Sequence, residues 1–160
     1  MRSLSVVLAT VCMAAPLAAQ SASANVTATV QQPITVTKNN DLSFGSVFPG
    51  LDKSIAVTAG GAAKFTVAGQ ASTPVNMTFT LPASIPSGGN SLAIASWTGH
   101  HATTDVTSGG TTFTPSASAT AATLSASGGL FVYVGATAQP TVTQAAGSYS
   151  GSMTMTVVYF

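Results

Sequence analysis

The chain has 160 residues, enough for one domain with a core of its own. Only 4% of them are charged, against roughly 25% in ordinary soluble domains, and 46% are apolar; this is the reverse of the composition that keeps a chain disordered. Beyond the first 24 positions Lys38, Lys53 and Lys64 balance Asp41, Asp52 and Asp105, which excludes a basic groove for nucleic acid and leaves a neutral surface suited to association.

The first element is an export signal. Arg2 gives the positive start, Leu4 to Leu17 an apolar stretch too short to span a bilayer, and Ala22-Ser23-Ala24 a small-x-small cleavage site. The expected division is therefore a signal peptide over residues 1–24 and a single domain over 25–160, with cleavage after Ala19 as the rival. The only cysteine, Cys12, lies in the signal. No later stretch approaches the ~20 apolar residues of a membrane helix. The mature protein is expected in the periplasm, at the cell surface or outside the cell, without a disulfide, a lipid anchor or a membrane span.

Asn25 to Thr37 alternates: Val26, Ala28, Val30, Ile34 and Val36 share one parity and threonines dominate the other. A period of two predicts a strand with one buried face, and Pro33 makes it an edge strand or two strands joined at a kink. Asn39-Asn40-Asp41 reads as a turn. Leu42 to Phe48 reads as the next strand, with a bulge or close backbone approach at Gly45. Ser54 to Thr58 and Ala63 to Ala68 flank Gly60-Gly61, a hairpin signal. Val75 to Leu81 alternates strictly. Leu92 to Trp97 makes a short strand, and Thr98 to Gly129, rich in Ser, Thr, Ala and Gly with weak strand signals near Thr111 to Thr114 and Ala121 to Leu124, reads as a long hairpin or decorated loop. Leu130 to Val134 is apolar on both parities, as in a central strand, with Gly135 ending it. Thr141 to Thr143 is expected to pair briefly.

The last fourteen residues organise the rest. Tyr149, Gly151, Met153, Met155, Val157 and Tyr159 fall on one parity, and Ser150, Ser152, Thr154 and Thr156 on the other. Val158 and Phe160 break the alternation, as in a strand covered on both faces. Short strands with turn signals every ~8–12 residues predict an all-β sandwich of about seven to nine strands.

The residues that could carry chemistry are few. His100, His101 and Asp105 are the only ligand-type cluster. Adjacent strand residues point to opposite faces, and a closed zinc site takes about four ligands, so neither metal nor cofactor is expected and the pair reads as solvated loop residues. The three aspartates are separated and sit beside turn residues, and no nucleophile motif accompanies the histidines. The chain is not expected to be an enzyme. Trp97 offers an aromatic face for a sugar, beside the plainer reading of a core or rim tryptophan. Asn25-Val-Thr27 and Asn76-Met-Thr78 fit the glycosylation sequon, but the second lies inside a strand.

Three stretches together carry a resemblance: ATVQQPITVTKNNDLSFGSVFPG, VYVGAT and QAAGSYSGSMTMTVVYF. They are similar to a bacterial secreted domain of unknown function that resembles spore coat protein U and chaperone–usher pilins. The resemblance implies an immunoglobulin-like, pilin-like sandwich lacking one strand. It also implies a structural role in a surface or fimbria-like assembly, with a periplasmic chaperone, other surface subunits or further copies of the chain as partners. Gly147, Tyr149, Gly151 and Tyr159 match the pilin C-terminal pattern, and Val26, Ala28 and Val30 are the candidates for donor-strand residues. Two features depart from pilins: no disulfide, and no linker between the donor segment and the first strand. Two readings of the N-terminal stripe therefore stand side by side, a donor to a neighbouring subunit and an ordinary first strand. The alternative function is an adhesin-like or carbohydrate-binding module working through Trp97 to Gly129.

Overall fold

A computed structural model describes residues 20–160. The apolar stretch of the expected signal, Cys12 and the rival cleavage site after Ala19 lie outside the described residues. Residues 20–30 are exposed and form no regular element, and Gln31–Phe160 make one compact unit. Among the described residues no helix is long and apolar enough to cross a membrane.

The unit is all-β. Its strands are β1 (Thr35–Asn40), β2 (Lys53–Ile55), β3 (Ala63–Ala68), β4 (Pro74–Thr80), β5 (Ser84–Ser87), β6 (Asn90–Ala102), β7 (Thr111–Phe113), β8 (Thr120–Thr123), β9 (Gly129–Gln139) and β10 (Thr154–Tyr159). One sheet runs β1-β3-β9-β6-β5, and the smaller sheet runs β10-β4-β8. Ten strands exceed the expected seven to nine because two strands are long enough to serve two short partners in line. Along one side of β9, β3 pairs with residues 129–134 and β2 with 136–138; along the far side of β6, β5 and β7 divide the edge in the same way. Gly135 does not end β9. It marks the step between the two partners, where a Cβ would sit 2.2 Å from the Ile55 carbonyl oxygen.

The sheets pack as a sandwich because alternate residues of each face inward. Ala63, Phe65 and Val67 of β3 and Leu130, Val132 and Val134 of β9 meet Val75, Met77 and Phe79 of β4. Met155 of β10 closes this core. A second cluster, Leu92, Ile94, Ala136 and Ala138, lies toward the Gln139 end of β9. The partly buried apolar residues packed against it come mainly from irregular segments and from β5: Leu42, Phe44, Ile85 and Tyr149, with Trp97 of β6.

Several expectations need correction. Leu42 to Phe48 alternates but forms no strand, because Leu42 and Phe44 are half-buried against the clusters without a ladder partner. Ser54–Thr58 and Ala63–Ala68 do not make a hairpin, since both segments pair with β9. Asn39 and Asn40 belong to β1, with an irregularity in register between Lys38 and Asn40, rather than to a turn. Thr141–Thr143 turns instead of pairing. Val158 and Phe160 are exposed, so β10 is covered on one face only. Leu92–Trp97 is part of a thirteen-residue strand that carries both histidines.

Candidate functional site

An open groove of about 900 Å³ lies over the second apolar cluster. Its floor is Phe65, Ile85, Leu92, Ile94 and Trp97. One wall is the chain leaving β1, from Lys38 to Val47, and the other is the chain approaching β10, from Gln144 to Met153. The smaller sheet is short, so among the described residues no strand covers this half of the larger sheet.

Both walls are fixed by a few bonds. The Ser43 N–H donates to the Gly61 carbonyl at 2.8 Å, and the Ser150 N–H to the Pro86 carbonyl at 3.2 Å. The Tyr149 hydroxyl donates to the Ala145 carbonyl and accepts from the Gln144 side-chain amide, each at 2.7 Å. Gly151 and Gly147 run close over β5, where an added Cβ would stand 2.6 Å from Ile85 Cγ2 and 2.8 Å from Ser87 Oγ. The Lys38–Asp41 pair on the rim is 2.6 Å long but well exposed, so it contributes little to stability.

Each sheet ends beside this opening. Among the described residues β10 has one strand neighbour, β4, and β1 has one, β3, so each presents an unpaired edge of N–H and C=O groups. At the opposite end from the groove, the Tyr159 hydroxyl accepts from the Gln70 N–H and donates to the Gln32 carbonyl, both at 2.6 Å. That pins the root of the N-terminal segment against the end of β10, with Ile34 packed on the main core.

The structure thus divides the residues singled out in the sequence. Gly147, Tyr149, Gly151 and Met153 line the groove, whereas Met155, Val157 and Tyr159 pack on the main core. The N-terminal stripe splits as well. Val26 and Val30 are 97% and 93% exposed, Ala28 is exposed, Ile34 is half-buried and Val36 lies on β1. Trp97 is half-buried, touches both clusters and forms part of the groove floor. Leu42, Phe44 and Ile85 also shape the groove, although the sequence pattern placed Leu42 and Phe44 only in a short strand and did not single out Ile85.

The histidines are not loop residues. His100 is 3% exposed on β6, on the outer face of the larger sheet beside Tyr133, and its Nδ1 has no hydrogen-bond partner among the described residues. His101 points inward and stacks on Phe113 at 5.7 Å; burial, then His100, lowers its pKa. Asp105 does more than form a turn. Lys64 Nζ lies 2.6 Å from its carboxylate and the Tyr133 hydroxyl donates to it, which ties the loop after β6 to β3 and β9. Lys64, then Tyr133, holds the Asp105 carboxyl below its ordinary range, while burial and that same bond push the Tyr133 hydroxyl up to about 12. Among the described residues no three His, Cys, Asp or Glu side chains come together as a metal site.

Comparison with curated proteins finds no match. A family model, by contrast, matches residues 34–159, from the half-buried Ile34 to the pinning Tyr159, and leaves the exposed 25–30 segment outside. The chain belongs to the family described as a domain of unknown function, DUF4402.

Proposed function

We propose that this chain is a secreted, non-enzymatic structural subunit of a bacterial surface or fimbria-like assembly, joined by β-strand addition. In this reading the segment Asn25–Val30 of one copy lies in the groove of another, within an immunoglobulin-like sandwich of the pilin and spore coat protein U kind. Arg2, the apolar stretch to Leu17 and Ala22-Ser23-Ala24 support export, which makes the periplasm, cell surface or medium the place of work.

The carrying observation is the groove itself: an apolar floor between two irregular walls, one leaving β1 and one leading into β10, the two strands that each have a single ladder partner among the described residues. An extended peptide would add main-chain bonds at an edge and place alternate side chains on the floor. Val26, Ala28 and Val30 have that spacing. Their apolar burial, roughly 1.5–3 kcal/mol for each fully buried valine, would not by itself offset the loss of freedom on association. The ladder must contribute as well, which favours an extended strand over a loosely docked loop. Lengths agree: the wall from Gly147 to Met153 and the six residues 25–30 would each span about 20 Å when extended. A chaperone holding the same groove before assembly fits the same geometry.

The test is gel electrophoresis of the mature protein in detergent, with and without boiling. A ladder that collapses on heating is expected, and deletion of residues 25–32 should leave monomer. A single monomer band under both conditions would refute strand addition. Trp97 in the groove floor keeps one competitor, a carbohydrate occupant. That reading requires Trp97→Ala to abolish glycan retention without changing oligomeric state.

A further inference from the structure

The outer face of the larger sheet carries a cluster of titratable groups that strand addition does not use. His100 is 3% exposed there, and the chain after β6 loops over it and returns through Gly109 and Gly110 to β7. Two glycines make that return possible. Gly109 has a φ of 72°, and Gly110 lies so close that an added Cβ would stand 2.6 Å from His100 Cε1 and 2.7 Å from Nε2. The loop is therefore held at two separate places. Its first half is tied by Asp105 to Lys64 and Tyr133. Its second half rests on the imidazole.

No group around His100 is placed to accept a proton from its Nδ1, which has no hydrogen-bond partner among the described residues. From β9 comes Tyr133, with 6.1 Å between ring centroids; its hydroxyl, pushed up to about 12, is uncharged and donates to Asp105. From the loop comes Asp105, whose carboxylate is engaged by that hydroxyl and by the ammonium of Lys64 on β3. β7 brings Thr111 and Thr112, which carry no charge. On β6 itself His101 faces the other way, towards Phe113. An imidazolium beneath the closed loop would be a buried charge with nothing for its Nδ1–H to bond, and such a charge is costly unless paired. With Gly109 and Gly110 lifted, water solvates it.

We propose that the loop 103–110 is an acid-released latch, whose Gly109–Gly110 half lies closed over neutral His100 and lifts when the ring takes up a proton. The lifted state binds one proton more than the closed one. The closed state therefore holds above the ordinary imidazole range and gives way as pH falls through it, by up to about tenfold per pH unit. The Asp105 carboxyl, held low by Lys64 and then by Tyr133, stays ionised over that range, so the first half of the loop remains tied. The latch gives the outer face two acid-dependent arrangements and leaves the groove alone. It stands apart from strand addition and works in a single copy.

Nuclear magnetic resonance reads ring and loop together in one titration of the mature protein from about pH 7.5 to about pH 5. The His100 ring carbons report proton uptake, and backbone order parameters report motion. As the ring gains its proton, the order parameters of Gly109 and Gly110 are expected to fall from about 0.85 to below about 0.6, with Val106 unchanged. His100→Leu and His100→Gln take up no proton, so both should keep the two glycines ordered throughout; the unfolding temperature of each variant checks its fold. Glycines that stay ordered in the unsubstituted protein, whether or not the ring gains its proton, overturn the latch. Glycines already mobile at the start of the titration overturn it as well. Equal loosening in the two variants would do the same, and would move the cause to His101 or Asp105.

Discussion

Replacing Tyr159 with phenylalanine isolates two hydrogen bonds while leaving the ring in place. The hydroxyl accepts from the half-buried Gln70 N–H and donates to the exposed Gln32 carbonyl. Water can replace it at Gln32, so little is lost there. The Gln70 bond is part-buried, and the two losses together are expected to destabilise the unit by about 1–2 kcal/mol. With about 2.1 cal/mol/K of unfolding entropy per residue over Gln31–Phe160, that corresponds to a fall in Tm of roughly 4–7 °C. Calorimetry at low protein concentration measures it, and amide exchange locates it: Gln70 should exchange up to about tenfold faster, since 1.4 kcal/mol is a factor of ten. Tyr159→Leu, which also removes ring packing on the core, should cost more. A change in Tyr159→Phe within about half a kilocalorie, the range of neutral surface substitutions, would refute the claim that this hydroxyl anchors the segment.

Three further substitutions probe other parts of the molecule. Asp105 has a depressed carboxyl pKa, so its contribution is complete above the ordinary carboxylate range and is lost as pH falls through the depressed value. The Val106 amide, which donates to the Thr104 carbonyl in the loop that Asp105 ties down, should keep its exchange protection down to about pH 4 and lose it below; Asp105→Asn should reduce its protection at neutral pH and abolish that acid step. Gly135→Val drives a side chain into the Ile55 carbonyl and should lower stability by more than about 2 kcal/mol in urea denaturation, through loss of the β2–β9 pairing. His100→Leu removes a buried nitrogen without a partner among the described residues and should leave stability unchanged or raise it by up to about 2 kcal/mol; a loss above about 1 kcal/mol would mean that the imidazole is satisfied.

The regular strands were legible wherever alternation and ladder coincide. Val75, Met77 and Phe79 announced β4, and the apolar run at 130–134 announced a strand with neighbours on both sides. The histidines show where parity misleads. Counted from Leu92 and Ile94, His100 belongs with the inward set. The ladder to β9 shifts register between Ala95 and Thr98, however, and Ser96 adopts a φ of 50°. The bulge exchanges the faces, so His101 turns to Phe113 in the core and His100 turns outward beneath the following loop. A bulge centred on Ser96 leaves no compositional trace, because serine is ordinary both in loops and on strand faces. The Lys64–Asp105–Tyr133 network was equally hidden, since it joins positions from three separate stretches of chain.

The groove walls were misread in a more instructive way. Leu42, Phe44 and Val47 on one side and Tyr149 and Met153 on the other give strand-like patterns, yet neither segment is in a ladder. Apolar alternation reports which side chains are covered, whereas a strand also needs a neighbour for its main chain. Both walls satisfy the first condition and lack the second, and they face each other across the space a further strand would fill. Strand addition therefore makes a local prediction: amides in 42–47 and 147–153 should gain exchange protection when the protein assembles, or when a peptide of residues 25–33 binds a chain from which 25–32 has been deleted. Ser43 and Ser150, already bonded to Gly61 and Pro86, should change least. Protection confined to residues 103–110, or none after a heat-labile ladder has formed, would place the added strand elsewhere and leave the alternation of both walls as a record of side-chain burial alone.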